Sequence, residues 1–199
     1  MNRQVLAKAV EALTNGDLVV YPTDTLYGLG ADVFNEDAVK KVFSVKNRSF
    51  DNPLSIAVAT FEDLKDIAFV DDRVKTVVEC FLPGSLTLVL KKKDTVSDIV
   101  TGGLDNVAIR IPDDPFALRL LSVFGPLTCT SANIHGKDTP HVINDIRMQF
   151  KEEDIALYID AGKLDGKPST IVDLTDDEIK ILREGDISKK QILDAIKDE

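Results

Sequence analysis

Between Leu18 and Pro53 the chain gathers the side chains best suited to hold a small anion. An apolar stretch, Leu18 to Tyr21, runs into Pro22-Thr23-Asp24-Thr25 and then Tyr27-Gly28-Leu29-Gly30. Lys46 and Arg48 follow, beside a second loop that ends Asp51-Asn52-Pro53. Small hydroxyls and bare glycine backbone let a polar ligand approach closely, and a Lys/Arg pair neutralises phosphate or carboxylate. The apolar stretch reads as a strand, and α/β sheets place their ligands at strand ends. Together these residues describe a cleft for a small anionic substrate. Each also has a plainer alternative. Thr23, Asp24 and Thr25 suit a turn, and Lys46 and Arg48 suit the solvated end of a helix. Arg110 lies between Ile109 and Ile111 in a strand, so its side chain faces opposite to theirs and suits a structural ion pair. Ser131 and Asn133 suit the cap of a following helix, a position that also attracts phosphate.

Several standard phosphate and hydrolase devices are missing. Gly28-Leu29-Gly30 lacks the third glycine of a dinucleotide-binding turn, and Gly136-Lys137 is followed by Asp138, which rules out a P-loop. His135 and His141 have no cysteine or carboxylate at zinc-ligand spacing, and no G-x-S-x-G elbow occurs. An anion must therefore be held by dispersed hydroxyls, backbone N–H groups and a few cations. Lys91-Lys92-Lys93 reads as a solvated strand edge, with a rim that attracts nucleic acid as the alternative. Cys80 and Cys129 read as core thiols.

Positioning these groups falls to interleaved helices and strands. Val5, Leu6, Ala9, Val10 and Leu13 share one face of a helix that Asn15-Gly16 ends, and Asn35 caps a second bearing Val39, Val42 and Phe43. Thr60 opens a third, and Val74, Val77, Val78 and Phe81 mark a fourth that Pro83-Gly84 terminates. Strands are expected over residues 18–21, 54–59, 86–90, 107–111, 127–130, 155–159, 170–174 and 179–182. Helices are expected over 116–124 and 142–150, and after the capping box Ser188-x-x-Gln191. Alternation of this kind specifies an α/β fold. Adjacent strands near the C-terminus imply some antiparallel pairing and so a mixed sheet. Gly102-Gly103 is a candidate hinge.

With 199 residues, the chain suits one domain over residues 1–199. A net charge of −10 argues against coating nucleic acid or an anionic membrane over the whole surface. Two cysteines without paired spacing, a charged N-terminus and no long apolar run suit a reduced cytoplasmic protein with no membrane contact.

Five blocks in register carry a resemblance. They are Tyr21–Gly30; Lys46-Asn47-Arg48 with Asn52-Pro53-Leu54; Pro83–Thr87; Val107–Pro112 with Thr130–Asn133; and Pro168–Asp173 with Leu182–Gly185. In this order they resemble the YrdC-like family of threonylcarbamoyl-AMP synthases, in its short single-domain form, from about residue 5 to about residue 187. The resemblance implies a twisted mixed α/β fold with helices flanking a large concave cleft. It implies that L-threonine, bicarbonate (or carbon dioxide) and ATP give threonylcarbamoyl-adenylate and pyrophosphate. That adenylate then serves a downstream threonylcarbamoyl transferase complex acting on adenosine 37 of ANN-decoding tRNAs. It further implies ATP contacts at Lys46, Arg48, Thr101, Ser131, Asn133 and Arg183, with Lys46 and Arg48 catalytic. Threonine contacts are implied at Thr23, Arg110, Thr130 and Ser169. Mg²⁺ is expected with the ATP and no metal ligand from the protein side chains. A tRNA or double-stranded RNA contact also fits the family, and a non-catalytic RNA-binding protein is the alternative reading. Four positions depart from the family pattern. Ala57 replaces a frequent histidine, Ser85 a proline, His135 a hydroxyl residue and Glu184 a proline.

Overall fold

Polar caps set where most helices begin. The computed structural model describes residues 3–197, so Met1, Asn2, Asp198 and Glu199 of the expected domain lie outside the described residues. Helix α1 (Arg3–Thr14) packs its Ala9 and Leu13 inward. Asn35 accepts from the backbone N–H groups of Asp37 and Ala38 and so starts α2 (Glu36–Lys46). Asn47 ends that helix in the left-handed region at φ 50°, where asparagine is tolerated. Thr60 and Asp63 form a capping box for α3 (Phe61–Ile67), and Asp71 caps α4 (Asp72–Phe81). Later come a single turn, α5 (Asp98–Thr101), and α6 (Pro115–Phe124), capped by Asp114. The last are α7 (Ile143–Arg147) and α8 (Lys189–Lys197). Ser188 and Gln191 bond reciprocally at the start of α8, as their spacing predicts.

Among the described residues, ten strands form two mixed sheets, where the sequence suggests one. In the smaller, β1 (Val19–Tyr21) pairs antiparallel with β2 (Gly28–Gly30) and parallel with β8 (Leu157–Tyr158). Strand β7 (Thr130–Ser131) closes its other edge. The larger contains β3 (Ser55–Ala57), β4 (Leu86–Lys91), β5 (Asn106–Arg110), β6 (Leu127–Thr128), β9 (Thr170–Asp173) and β10 (Lys180–Arg183). Their order is β10-β9-β4-β5-β3-β6. The expected strand over 127–130 is thus divided. Its first half belongs to the larger sheet and its second half to the smaller, with Cys129 at the crossing. Thr128 fastens the crossing: its fully buried Oγ1 donates to the Leu29 carbonyl and accepts from the Ala31 N–H, both at 2.9 Å. The sequence pattern does not reveal such a switch: β6 is buried and β7 only half-buried along the cavity, and one short segment of mixed hydroxyls and apolar residues carries both.

The principal core, built on Val20, Leu29, Val42, Ile56, Leu88 and Ile109 among others, fills the space between the sheets and α2 to α4. A second cluster, with Ala9, Leu13, Tyr21, Phe116 and Leu120, sits under α1 and α6. Ala57 is fully buried in that second cluster. Cys80 corrects the sequence reading, since it is exposed. Val74, Val77 and Val78 take the core face of α4, and a residue at position 80 points away from it.

Candidate functional site

A cavity of about 410 Å³ opens where the two sheets meet, and strand ends and loops from both supply its walls. Among the expected residues, Thr23, Arg48, Arg110, Thr130, Ser131, Ser169 and Arg183 line it. Arg110 is the last residue of β5. Alternation along that strand sends Ile109 into the core and puts Ala108 and Arg110 on the cavity side.

The guanidinium of Arg110 is held on several sides. Its Nη1 donates to Thr25 Oγ1 at 2.9 Å. Its Nη2 donates to Asp24 Oδ1 at 2.6 Å and to the Gly84 carbonyl at 3.1 Å. Its buried Nε has no hydrogen-bond partner among the described residues. Thr23 Oγ1 is engaged in its own loop, donating to the Leu26 carbonyl at 2.6 Å and accepting from the N–H groups of Thr25 and Leu26. The turn reading of this loop therefore holds, and the loop also lines the cavity.

Arg183, from β10, reaches over the edge of the larger sheet. Its Nε donates to the Ser169 carbonyl at 2.9 Å and its Nη2 to Ser169 Oγ at 3.1 Å, while Ser169 Oγ also meets Thr87 Oγ1 at 2.8 Å. Arg48, just past the end of α2, donates to the carbonyls of Asn52 and Pro53 at 3.1 and 2.8 Å. Burial lowers the pKa of both arginines, and the charge of Arg110 adds to the effect at Arg183.

Lys46, Asn133 and Thr101 are not among the lining residues; they stand behind the wall. Lys46 is 1% exposed, and its ammonium donates to the carbonyls of Ser131 and Asn133. Burial, with the Arg48 charge adding to it, pulls its pKa down from 10.5 to about 7. Asn133 accepts from Ser131 Oγ at 2.6 Å and donates to the Lys137 carbonyl at 2.7 Å, which folds the 133–137 loop on itself. The helix-cap reading of Ser131 and Asn133 is corrected, because α7 starts only at Ile143 with Val142 at its cap. Thr101 is fully buried in α5, and a backbone bond from Leu54 to Val100 at 2.8 Å ties that turn to the Arg48 loop. Gly102 and Gly103, the candidate hinge, form a tight positive-φ turn. A Cβ at Gly102 would lie 3.0 Å from the Phe50 carbonyl oxygen.

Ser55, Thr87 and Thr139 line the cavity without having been singled out by sequence. Ser55 and Thr87 begin or lie within strands, where the only available signal is a hydroxyl in an otherwise apolar run. Of the lysine run, Lys92 pairs with Asp98 at 2.9 Å and Lys93 lies over the Phe69 ring, while Lys91 is exposed. Cys129 lines the cavity, and burial raises its thiol pKa.

The arrangement suits substrates that bring their own reactive groups. It offers charge, hydroxyls and shape, and among its lining residues there is no carboxylate or histidine. The chain is similar to known proteins over most of its length. Residues 11–185 match the Sua5/YciO/YrdC family, described as "Telomere recombination". A "Putative threonylcarbamoyl-AMP synthase" of Methanocaldococcus jannaschii is 44% identical over 184 residues, 92% of this chain and 86% of that protein. The threonylcarbamoyl-AMP synthase of Bacillus subtilis is 41% identical over 199 residues, 96% of this chain but 56% of that protein. Pyrococcus abyssi Sua5, solved in complex with L-threonine, superposes with a TM-score of 0.92 at 39% identity, over 96% of this chain and 57% of that one. The chain thus spans little more than half the length of the latter two.

Proposed function

The chain belongs to the Sua5/YciO/YrdC family, and on that premise we propose that it is a threonylcarbamoyl-AMP synthase, a nucleotidyltransferase acting on L-threonine, bicarbonate or carbon dioxide, and ATP. The observation that carries this reading is the convergence of Arg48, Arg110 and Arg183 with five or more hydroxyls on one cavity. In the reaction the threonine nitrogen bonds to the carbon of carbon dioxide and gives up its proton to water or to a phosphate oxygen of the ATP. A carbamate oxygen then bonds to the α-phosphorus as the bond to the β-phosphate oxygen breaks, releasing pyrophosphate. Carbamates revert readily, so the site must keep three reactants close and limit water. Charge neutralisation at the phosphates supplies the rest.

Within this reading, Arg48 and Arg183 face the triphosphate. Ser131 lines the same side. Lys46 and Asn133 act by fixing the backbone of the 131–137 loop, and Thr101 by supporting the Arg48 loop. Thr23, Arg110, Thr130 and Ser169 receive threonine. Among the described residues no cluster of three or more His, Cys, Asp or Glu could hold a metal ion. A magnesium ion would therefore ride on the triphosphate oxygens, neutralising charge there. The product passes to a transferase that modifies adenosine 37 of ANN-decoding tRNAs. Among the described residues no helix is long and apolar enough to cross a membrane, and we place the reaction in the cytoplasm.

The test is pyrophosphate release with L-threonine, bicarbonate and ATP, with the adenylate identified by mass. Omission of threonine or bicarbonate should abolish release. A protein that only binds RNA would release none, and it would bind RNA with a steep salt dependence. Equal turnover with serine or unrelated amino acids would overturn the substrate assignment.

A further inference from the structure

One pair of hydroxyls in the cavity wall carries more donors than the protein uses. Thr87, in β4, and Ser169, just before β9, both line the cavity, and they are 2% and 4% exposed. Strands β4 and β9 are parallel neighbours, with Thr87 opposite Ile171. Ser169 lies two residues before Ile171 and so falls on the same face, diagonal to Thr87. The two hydroxyl oxygens are 2.8 Å apart. Ser169 Oγ also accepts from Arg183 Nη2 at 3.1 Å, and the Ser169 carbonyl accepts from Arg183 Nε at 2.9 Å.

Each hydroxyl has one proton and two lone pairs. One proton fills the bond between the two oxygens, and the other has no acceptor among the described residues. A buried O–H left without a partner is costly, and a ligand oxygen in the cavity removes that cost. Arg183 strengthens the donor. Its cation donates into Ser169 Oγ, polarises that hydroxyl, and the effect passes along the bonded pair. The charge of the wall matches: burial first, and then the charge of Arg110, lower the pKa of Arg183, so two guanidinium groups act on the same space. Such a wall favours an anionic oxygen and repels an ammonium. Thr87 is not needed to hold the backbone of Ser169. The next residue, Thr170, donates its Oγ1 proton to the Ile187 carbonyl at 2.7 Å and accepts from the N–H groups of Gly185 and Ile187. What Thr87 sets is the direction of the Ser169 hydroxyl.

We propose that Thr87 is a positioning residue: by bonding Ser169 it leaves one O–H donor facing the cavity beside Arg183. That donor takes a carboxylate oxygen of threonine, and the amino nitrogen faces away from the wall. This assignment rests on the threonine reading above and adds the residue that fixes the hydrogen-bond polarity of Ser169.

The experiment is steady-state pyrophosphate release by the wild type, Thr87→Val, Thr87→Ser, Ser169→Ala and the Thr87→Val/Ser169→Ala double variant. Threonine is varied at saturating ATP and ATP at saturating threonine, and the unfolding midpoint of each protein is measured. Thr87→Val keeps the shape and removes the hydroxyl. Its KM for threonine should rise about 10-fold, the scale of one hydrogen bond, while its KM for ATP stays within about two-fold. Its unfolding midpoint should be unchanged or higher, since the ligand-free protein loses an unpaired donor. Thr87→Ser should bring the threonine KM back to within about three-fold of the wild type. The double variant should be no worse than Ser169→Ala alone, because Thr87 acts through Ser169. A threonine KM within about two-fold of the wild type in Thr87→Val, no rescue by serine, or additive losses in the double variant would each overturn the proposal. So would a Thr87→Val protein that fails to fold, or one whose KM values for both substrates rise together as its midpoint falls, since the hydroxyl would then be merely structural. A wild type that releases no pyrophosphate with threonine overturns the threonine reading itself, and this proposal with it.

Discussion

Lys46 and Arg48 are two residues apart, yet they do different work. Arg48 lines the cavity with its guanidinium braced on two carbonyls, so Arg48→Ala removes charge from the cavity wall, where the proposed function puts the phosphates, and little packing. Pyrophosphate release should drop about 100-fold or more, with the unfolding midpoint nearly unchanged. Arg48→Lys should not restore it, since one ammonium cannot brace on both carbonyls and still reach outward. Wild-type turnover in either variant would remove Arg48 from the phosphate end. Lys46, in contrast, is buried on two carbonyls, so its loss must be read as a change in the fold. Its folded pKa of about 7 lies below the ordinary 10.5. Between those values the unfolded chain holds a proton that the native protein lacks, so stability rises with pH across that window. Below pH 7 the ammonium must be buried at full cost. Above it, the neutral amine still has two N–H groups for the carbonyls of Ser131 and Asn133. Lys46→Met lacks this titration. From pH 7 to pH 9 the wild type should therefore gain about 2 kcal/mol of unfolding free energy relative to the variant. Parallel pH profiles for the two proteins, measured by denaturant unfolding, would contradict this.

At the scale of elements, the glycines of the first loop do more than admit a ligand. Their bare backbone suggests close approach by a ligand, and Gly28 does line the cavity. Both glycines also form β2, and the ring of Tyr21 lies across them. A Cβ would come within 3.2 Å of that ring at Gly28 and 2.8 Å at Gly30. Gly30→Ala should cost about 1–3 kcal/mol through overpacking. Combining it with Tyr21→Leu should cost clearly less than the two changes summed, a coupling that a double-mutant cycle reads directly. Additive effects would show that the ring does not enforce the glycine. Helix starts were legible because caps are local: Asn35, Thr60 and the Ser188–Gln191 pair each act within three residues. Strand partners were not legible. β2 has too little side chain to show alternation, and the 127–131 segment changes sheet within one residue at Cys129. The site was legible where a charged residue interrupts an apolar pattern, as at Arg110. The pairing of Arg110 with Asp24 was not legible, because the turn chemistry of the loop explains Asp24 equally well until the 2.6 Å contact is seen.

The whole molecule is two sheets joined at the 127–131 crossing, and the cavity lies on that joint. Thr23, Gly28 and Thr130 come from the smaller sheet and its loops, while Thr87, Arg110 and Arg183 come from the larger. By the proposed assignment each ligand touches walls from both sheets: threonine meets Thr23 and Thr130 from the smaller and Arg110 from the larger, and the triphosphate meets Ser131 from the smaller and Arg183 from the larger. Threonine at the Arg110 end and a triphosphate at the Arg48–Arg183 end should therefore favour each other, since each pays part of the ordering that the other needs. A non-hydrolysable ATP analogue and L-threonine, added together, should raise the unfolding free energy by at least about 1 kcal/mol more than the sum of their separate effects at the same concentrations. Calorimetry should find the same reciprocal gain, with threonine binding several-fold tighter in the presence of the analogue. Strictly additive stabilisation would mean that the two ends of the cavity do not communicate, and that adjacency alone, without coupling across the joint, brings the carbamate to the α-phosphorus.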